Sequence, residues 1–264
     1  MLPREELLKG SRHSEGLAPL IELAEQALRT WEPVWSGFVA PDLREEAERR
    51  LGHLSELSMA SDGGWPEAER RRLLLRRREI ALAEESSARP ASDLQGLVVS
   101  GNFLFDPAEP GEIRAGLLAA GAEPDDLGDI WLRGDRGGQA VLSAAAAERL
   151  DGRTGQVRTV PVQLEAIALS ALQLPASRAP RRLSSVEASL RLDAVASAGF
   201  GLSRSRMVDL IRGGAVRVNW QAVSSPSREL ASGDRVRLEG RGELEILEIQ
   251  ATKRERWRLV MERR

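Results

Sequence analysis

The stretch from Arg191 to Gln221 constrains the fold most, because it spells two short helices and a strand with a stop signal after each. Leu192, Val195 and Ala196 recur at helical spacing, and Gly199 suits the position just past a helix end. Ser203 offers an N-cap to a second helix over 204–212, in which Met207, Val208, Leu210 and Ile211 face inward. Ser205, Asp209 and Arg212 then fall on the opposite face, with Arg206 at its edge. Gly213-Gly214 ends the helix, and the apolar period switches to two. Val216 and Val218 alternate with Arg217, a turn follows at Asn219-Trp220-Gln221, and Ser232-Gly233-Asp234 introduces a strand over 235–238. Further strands are expected over 244–249 and 256–261.

Charge marks the same region. The 264 residues carry a formal net charge of −2, but residues 181–264 hold 17 basic against 11 acidic side chains and the remainder 21 against 29. A basic module tied to an acidic body is expected to meet a polyanion, most often nucleic acid. Nearly every basic residue is arginine, Lys9 and Lys253 being the exceptions. Arginine forks onto phosphate better than lysine, and the same bias follows from GC-rich coding, so the choice of cation decides nothing.

Upstream, residues 1–90 read as helical. Leu17, Leu20, Ile21, Ala24, Ala27 and Leu28 form one amphipathic stripe. Pro41-Asp42 opens a second helix through Leu57, and Trp65–Glu85 reads as a third, whose runs Arg70–Arg72 and Arg76–Arg78 form a solvated, ion-paired face. Residues 92–178 follow the order β-α-β-β-α-β, with strands near 94–100, 129–132, 139–143 and 156–162 and helices near 110–121 and 144–150. That is the split β-α-β, ferredoxin-like plan of the RNA-binding RRM domains. RRM recognition stacks bases on aromatics of the two central strands, and neither LVVS nor QAVLS has one; Phe103 and Phe105 lie just beyond the first. The Arg133-Gly-Asp135 tripeptide sits in a hairpin turn and carries no further meaning. The reading is therefore an α+β chain with a helical region (1–90), an RRM-like domain (92–178), a linker rich in Pro, Ser, Ala and Arg (179–190) and a basic C-terminal domain (191–264).

Chemistry is narrowly bounded. There is no cysteine, so disulfides, thiolate metal sites and a cysteine nucleophile are excluded. His13 and His53 lack metal-pair spacing, so neither a metal nor a cofactor is expected. No apolar run of about 18 residues is present, and the charged start argues against a signal peptide, so the expected location is cytoplasmic.

From Arg191 onward the chain resembles the S4 RNA-binding domain, through Arg191-Leu-Asp193, Ser203-Arg-Ser-Arg206, the helix-end glycines, Val216-Arg-Val-Asn219 and Gly233-Asp234. The resemblance implies docking on structured RNA, largely through phosphates and shape. Arg204, Arg206, Arg212, Arg217 and Arg241 would meet phosphates, Ser203 and Ser205 would offer hydroxyls and helix N-terminal amides, and Trp220 would stack on a base or ribose. Asn219 belongs to the same motif, and Asp193 reads as a structural partner for an arginine. The segments DGGWPEAERRRLLL (62–75) and Leu127-Gly-Asp-Ile130, Gly240-Arg-Gly242 and Lys253-Arg254-Glu-Arg256 together resemble the YlmH family. The N-terminal LPREELLKG and AEQALRTWEPVWSGFV resemble its cyanobacterial branch, the photosystem II S4 domain proteins. The family has a His-Arg-Asp stretch opening the first helix of its middle domain; here it reads Glu109-Pro-Gly-Glu-Ile-Arg114-Ala-Gly116, and no RNA contact is carried over to it.

What the resemblance implies is a non-enzymatic RNA-binding protein meeting large-subunit rRNA or tRNA, in ribosome-associated quality control or biogenesis. Its implied partners include the large ribosomal subunit and photosystem II biogenesis factors. Two alternatives compete. One is an assembly factor acting by protein–protein contact through the acidic body. The other is an S4-bearing RNA-modifying enzyme, against which stand the lack of a glycine-rich cofactor loop after a strand and of a histidine-containing ATP signature.

Overall fold

Buried leucines on a three- and four-residue stripe, Leu17, Leu20, Ile21, Ala24 and Ala27, hold helix α2 (Ser14–Thr30) against a sheet that the helical reading did not include. The computed structural model describes residues 2–83, 92–176, 179–238, 241–253 and 255–264. The chain divides into two compact units, Met1–Pro175 and Ala176–Arg264, each described by itself.

In the first unit α1 (Arg4–Leu8) and α2 are followed by β1 (Val34–Val39), α3 (Pro41–Leu51), β2 (Leu57–Asp62), β3 (Arg71–Arg77) and α4 (Arg78–Ala83). The three strands form an antiparallel sheet in the order β1-β3-β2. Central strand β3 corrects the expected helix over Trp65–Glu85, of which only α4 is helical among the described residues. Its sequence RRLLLRR buries Leu73, Leu74 and Leu75 completely, so both faces of the strand are covered and no alternation shows. The flanking arginines are not a solvated face. Arg72 donates through Nε to the Ser36 carbonyl and through Nη1 to the Ser92 carbonyl, both at 2.7 Å. Arg77 Nε donates to the Leu28 carbonyl at 2.8 Å. Burial draws the guanidinium pKa of Arg70, Arg71 and Arg72 below its usual range.

The middle of the chain is the expected ferredoxin-like plan: β4 (Leu94–Ser100), α5 (Pro110–Ala119), β5 (Leu127–Leu132), β6 (Gly137–Ser143), α6 (Ala144–Leu150), β7 (Thr154–Val157) and β8 (Val160–Ile167). Strand order is β5-β6-β4-β8-β7, every neighbouring pair antiparallel. The single last strand expected over 156–162 is instead a hairpin, turned at Arg158, whose φ of 54° is left-handed. At the head of β6 only glycine fits: Gly137 has φ of 117°, and a Cβ there would stand 1.9 Å from the Val99 carbonyl oxygen. Leu97, Val99, Ala140, Leu142 and Leu164 line one sheet face in a common core with Ile113 and Leu117 of α5 and Ala146 and Leu150 of α6.

The second sheet face is closed as well. Val141 packs with Phe38 and Leu172, ringed by Trp65, Trp131, Ile167 and Leu169. The segment after β8 is tied across it, since Gln173 N donates to Gln139 Oε1 (2.9 Å) and Trp131 Nε1 donates to the Gln173 carbonyl (3.0 Å). Residues 2–83 and 92–175 thus share a core. The surface on which an RRM stacks bases is interior at this end of the sheet. Of the two phenylalanines beyond β4, Phe103 is buried and Phe105 is 90% exposed.

The second unit has β9 (Arg181–Glu187), α7 (Leu192–Phe200), α8 (Arg204–Arg212), β10 (Val216–Val218), β11 (Gln221–Ala222), β12 (Arg235–Leu238), β13 (Gly242–Ala251) and β14 (Trp257–Arg263). The sheet runs β11-β10-β12-β13-β14-β9. Strand β9 corrects the expected linker: it pairs with β14 from Arg181↔Arg263 to Glu187↔Trp257. As an edge strand with largely exposed side chains it needs little apolar sequence, and its Arg-Ser composition reads as linker for that reason. Leu192, Val195, Phe200, Met207 and Ile211 from the helices meet Val216, Val218, Val236, Leu238, Leu244 and Ile246 from the sheet in one core.

Candidate nucleic-acid interface

Helix α8 begins at Ser203, whose Oγ accepts from the backbone N–H of Arg206 at 3.3 Å, the N-cap the sequence implies. Capping fixes the entry of the helix, so Ser203→Ala is expected to cost about 1 kcal/mol, read as a lower chemical-denaturation midpoint with unchanged slope. Met207 and Ile211 are buried, and Ser205, Arg206 and Arg212 are exposed. Arg206 and Arg212 hold no ion pair among the described residues. One carboxylate, Asp209, is exposed between them.

Arg204 stands apart from that pair. Its Nε and Nη2 donate to the two oxygens of Asp193 at 3.1 and 3.2 Å, and Arg191 donates to the same oxygens at 3.1 Å each. Asp193 is only 3% exposed. Burial pushes its pKa up, but the bonds and charges of the two guanidiniums outweigh burial, and the net shift is downward. The structural role expected of Asp193 is what the geometry shows, and it commits two of the five N–H groups of Arg204.

The other expected contacts separate. Asn219 is a turn clamp: its Nδ2 donates to Asp234 Oδ1 (2.7 Å) and its Oδ1 accepts from Arg235 N (2.9 Å), so its amide is spent on the fold. Arg217 lies on the sheet face away from the helices, because Val216 and Val218 on either side enter the core. Trp220 is half-buried at the β10–β11 turn. Arg241 leads into β13 where Gly242 pairs with Leu238 and Leu238 with Val216, the end of the sheet at which α8 stops. Lys253 follows β13 at its other end, about 30 Å away at some 3.3 Å per residue, and cannot share a patch with Arg241. Arg254 lies outside the described residues.

Ser203, Ser205, Arg206 and Arg212 thus share one helix, with Arg241 at the end of the sheet where that helix stops. Arg235 and Arg237 lie on the same sheet face as Arg217, as the alternation of RVRL announces. Among the described residues no cluster of three or more His, Asp or Glu is placed to hold a metal, and no helix is long and apolar enough to cross a membrane.

A capped second helix with an exposed arginine edge, lodged with its partner on one face of a sheet, is the arrangement of S4-domain proteins, and residues 190–236 match the S4 domain family. Residues 12–80 match the family described as YlmH, N-terminal. Over 210 residues the chain is 32% identical to the ribosome-associated protein quality control protein P2 of Bacillus subtilis, covering 79% of each protein. The chain belongs to the YlmH family. A solved structure described as cell division protein ylmH from Streptococcus pneumoniae is 16% identical, with a TM-score of 0.44 over 61% of this chain and 94% of that one.

Proposed function

We propose that this chain is a non-enzymatic protein that docks structured RNA of the ribosome, large-subunit rRNA or tRNA, through α8 of its S4 domain, and acts in the cytoplasm in ribosome-associated quality control or biogenesis. The observation that carries the reading is that Arg206 and Arg212 are exposed and hold no ion pair among the described residues, on a helix whose N-terminus also presents Ser205. Guanidiniums and helix N-terminal amides are phosphate ligands that fix position without reading sequence. The relative from Bacillus subtilis is named for quality control on the ribosome, which supports the same setting. The closed second face of the middle sheet favours the S4 domain over the RRM-like domain as the RNA contact. The photosystem II partners implied by the resemblance rest on that resemblance alone.

Neutralising three phosphates, one each by Arg206, Arg212 and Arg241, gives a log–log salt dependence of affinity with slope about −2 to −3. Titrating an RNA hairpin across salt concentrations measures it, and a slope near zero overturns the reading. Crosslinking in cells gives the partner: rRNA or tRNA as the dominant tag supports ribosomal docking. Proteins recovered without enriched RNA favour the assembly-factor alternative.

A further inference from the structure

Between β4 and α5 the chain carries two large apolar side chains into solvent. Phe105 is 90% exposed and Leu104 58%, whereas Phe38, Phe103 and Phe200 are all buried. The tip is held out by its own flanks. On one side Gly101 N and Phe103 N donate to the carbonyls of Arg136 and Asp135 at 3.1 and 2.8 Å, and the Phe103 ring enters the core. On the other, Asp106 accepts from Thr159 Oγ1 at 2.6 Å and pairs with Arg158 at 2.8 Å, and Ala108 is buried. Such a tip forgoes burial in its own fold, and the ordering that a contact would require is already done. Aromatic side chains of this kind are enriched at interfaces.

Charge selects the partner. The segment 101–113 has three carboxylates, Asp106, Glu109 and Glu112, and no basic residue. Arg158 bridges Asp106 and Glu112, which leaves Glu109 exposed and without an ion pair among the described residues. An acid-flanked apolar tip repels phosphates and suits an apolar socket with a basic edge.

The chain itself carries such a socket. A cavity of about 510 Å³ lies where α3, β2, β3 and α4 meet. Leu57, Met59, Ala81 and Leu82 give it apolar walls, and Arg76 and Arg78 line it with positive charge. Its carboxylate, Glu48, pairs with Arg44 at 4.0 Å. Leu82 and Arg78 are exposed, so the cavity opens to solvent. It has the volume of a small-molecule site, enough for one leucine and one phenylalanine side chain.

We propose that this chain associates with itself head to tail: Phe105 and Leu104 of one copy enter the cavity of the next, and the acidic flank of the tip meets Arg76 and Arg78. Tip and cavity are different surfaces, so the contact is heterologous and repeats from copy to copy, as a ring or an open chain. It uses residues of the first unit only and none of the S4 arginines, so it stands or falls without the RNA-binding reading.

Sedimentation velocity of the full chain from about 1 μM to 1 mM, the range of weak contacts, is expected to show an average mass that rises with concentration and falls with salt. Phe105→Ser weakens the association about 10- to 100-fold, the loss of one buried aromatic. It melts with the unsubstituted chain, because Phe105 is almost wholly exposed in the single copy. Leu82→Glu, at the exposed edge of the cavity, weakens association as much. Each variant keeps the half that the other lacks, so mixing them restores association, which stops at a dimer. A chain monomeric at every concentration overturns the proposal and leaves the tip to a different protein. Association unchanged in Phe105→Ser overturns it as well. So does association lost in Phe105→Ser but kept in Leu82→Glu, which is tip against tip, and so does a mixture that stays monomeric.

Discussion

Reversing Arg206 and Arg212 together to glutamate is expected to weaken binding of a structured RNA by at least 25- to 60-fold at 0.1 M salt. Each phosphate contact contributes about 0.7–0.9 to the slope of log affinity against log salt. One decade below the 1 M reference, two lost contacts therefore remove about 1.4–1.8 log units, and the new carboxylates add repulsion. The loss shrinks as salt rises, and the slope itself becomes shallower by about two contacts' worth. It is the same for any hairpin of similar shape, because these are positioning contacts. Both side chains are exposed, so most of the effect falls on binding rather than folding. Reversal of Arg212 also places an acid in the last turn of α8, at a cost of about 0.3–1 kcal/mol. Arg204 is left out of the pair because Asp193 already holds it. Fluorescence anisotropy across a salt series checks the prediction. Unchanged affinity at 0.1 M salt sinks the helix face as the docking surface.

The parts of this structure legible in the sequence are those set by local signals. The Ser203 cap, the 204–212 stripe and the Val216/Val218 alternation all need only neighbours within a few residues, and each element stands within a residue or two of where the pattern places it. Strand β3 was illegible because arginine is ordinarily a surface residue, and only the fold reveals the carbonyls of Ser36, Ser92 and Leu28 that receive Arg72 and Arg77. Strand β9 was illegible because an edge strand needs little apolar content. The closed face of the middle sheet depends on Phe38 and Leu172 arriving from 134 positions apart, which no periodicity encodes. On α8, helix spacing placed Arg206 and Arg212 on the exposed side, but that Arg204 and Arg191 converge on one carboxylate follows from how α7 meets α8.

That convergence makes Asp193 the residue through which acid loosens the S4 unit. The carboxylate accepts four hydrogen bonds, two from each arginine, and is almost wholly buried. Asp193→Asn keeps the shape but turns a double acceptor into a group with one acceptor and two donors facing guanidiniums, and is expected to cost about 2–3 kcal/mol. Arg191 and Arg204 are about half exposed and are rehydrated when the partner is lost, which keeps the cost below that of a fully buried pair. The sign of the pH dependence follows from the downward shift of the Asp193 pKa, by arginine bonds that outweigh burial. The stabilisation is fully present above the ordinary aspartate value of about 4 and is lost as pH falls through the depressed folded-state value. The difference in unfolding free energy between the parent and Asp193→Asn should therefore hold steady from pH 7 down to about 4 and collapse below it. Denaturation of both proteins in a pH series reads this directly. A gap that persists undiminished at pH 2 would mean that packing rather than charge is what Asp193 contributes.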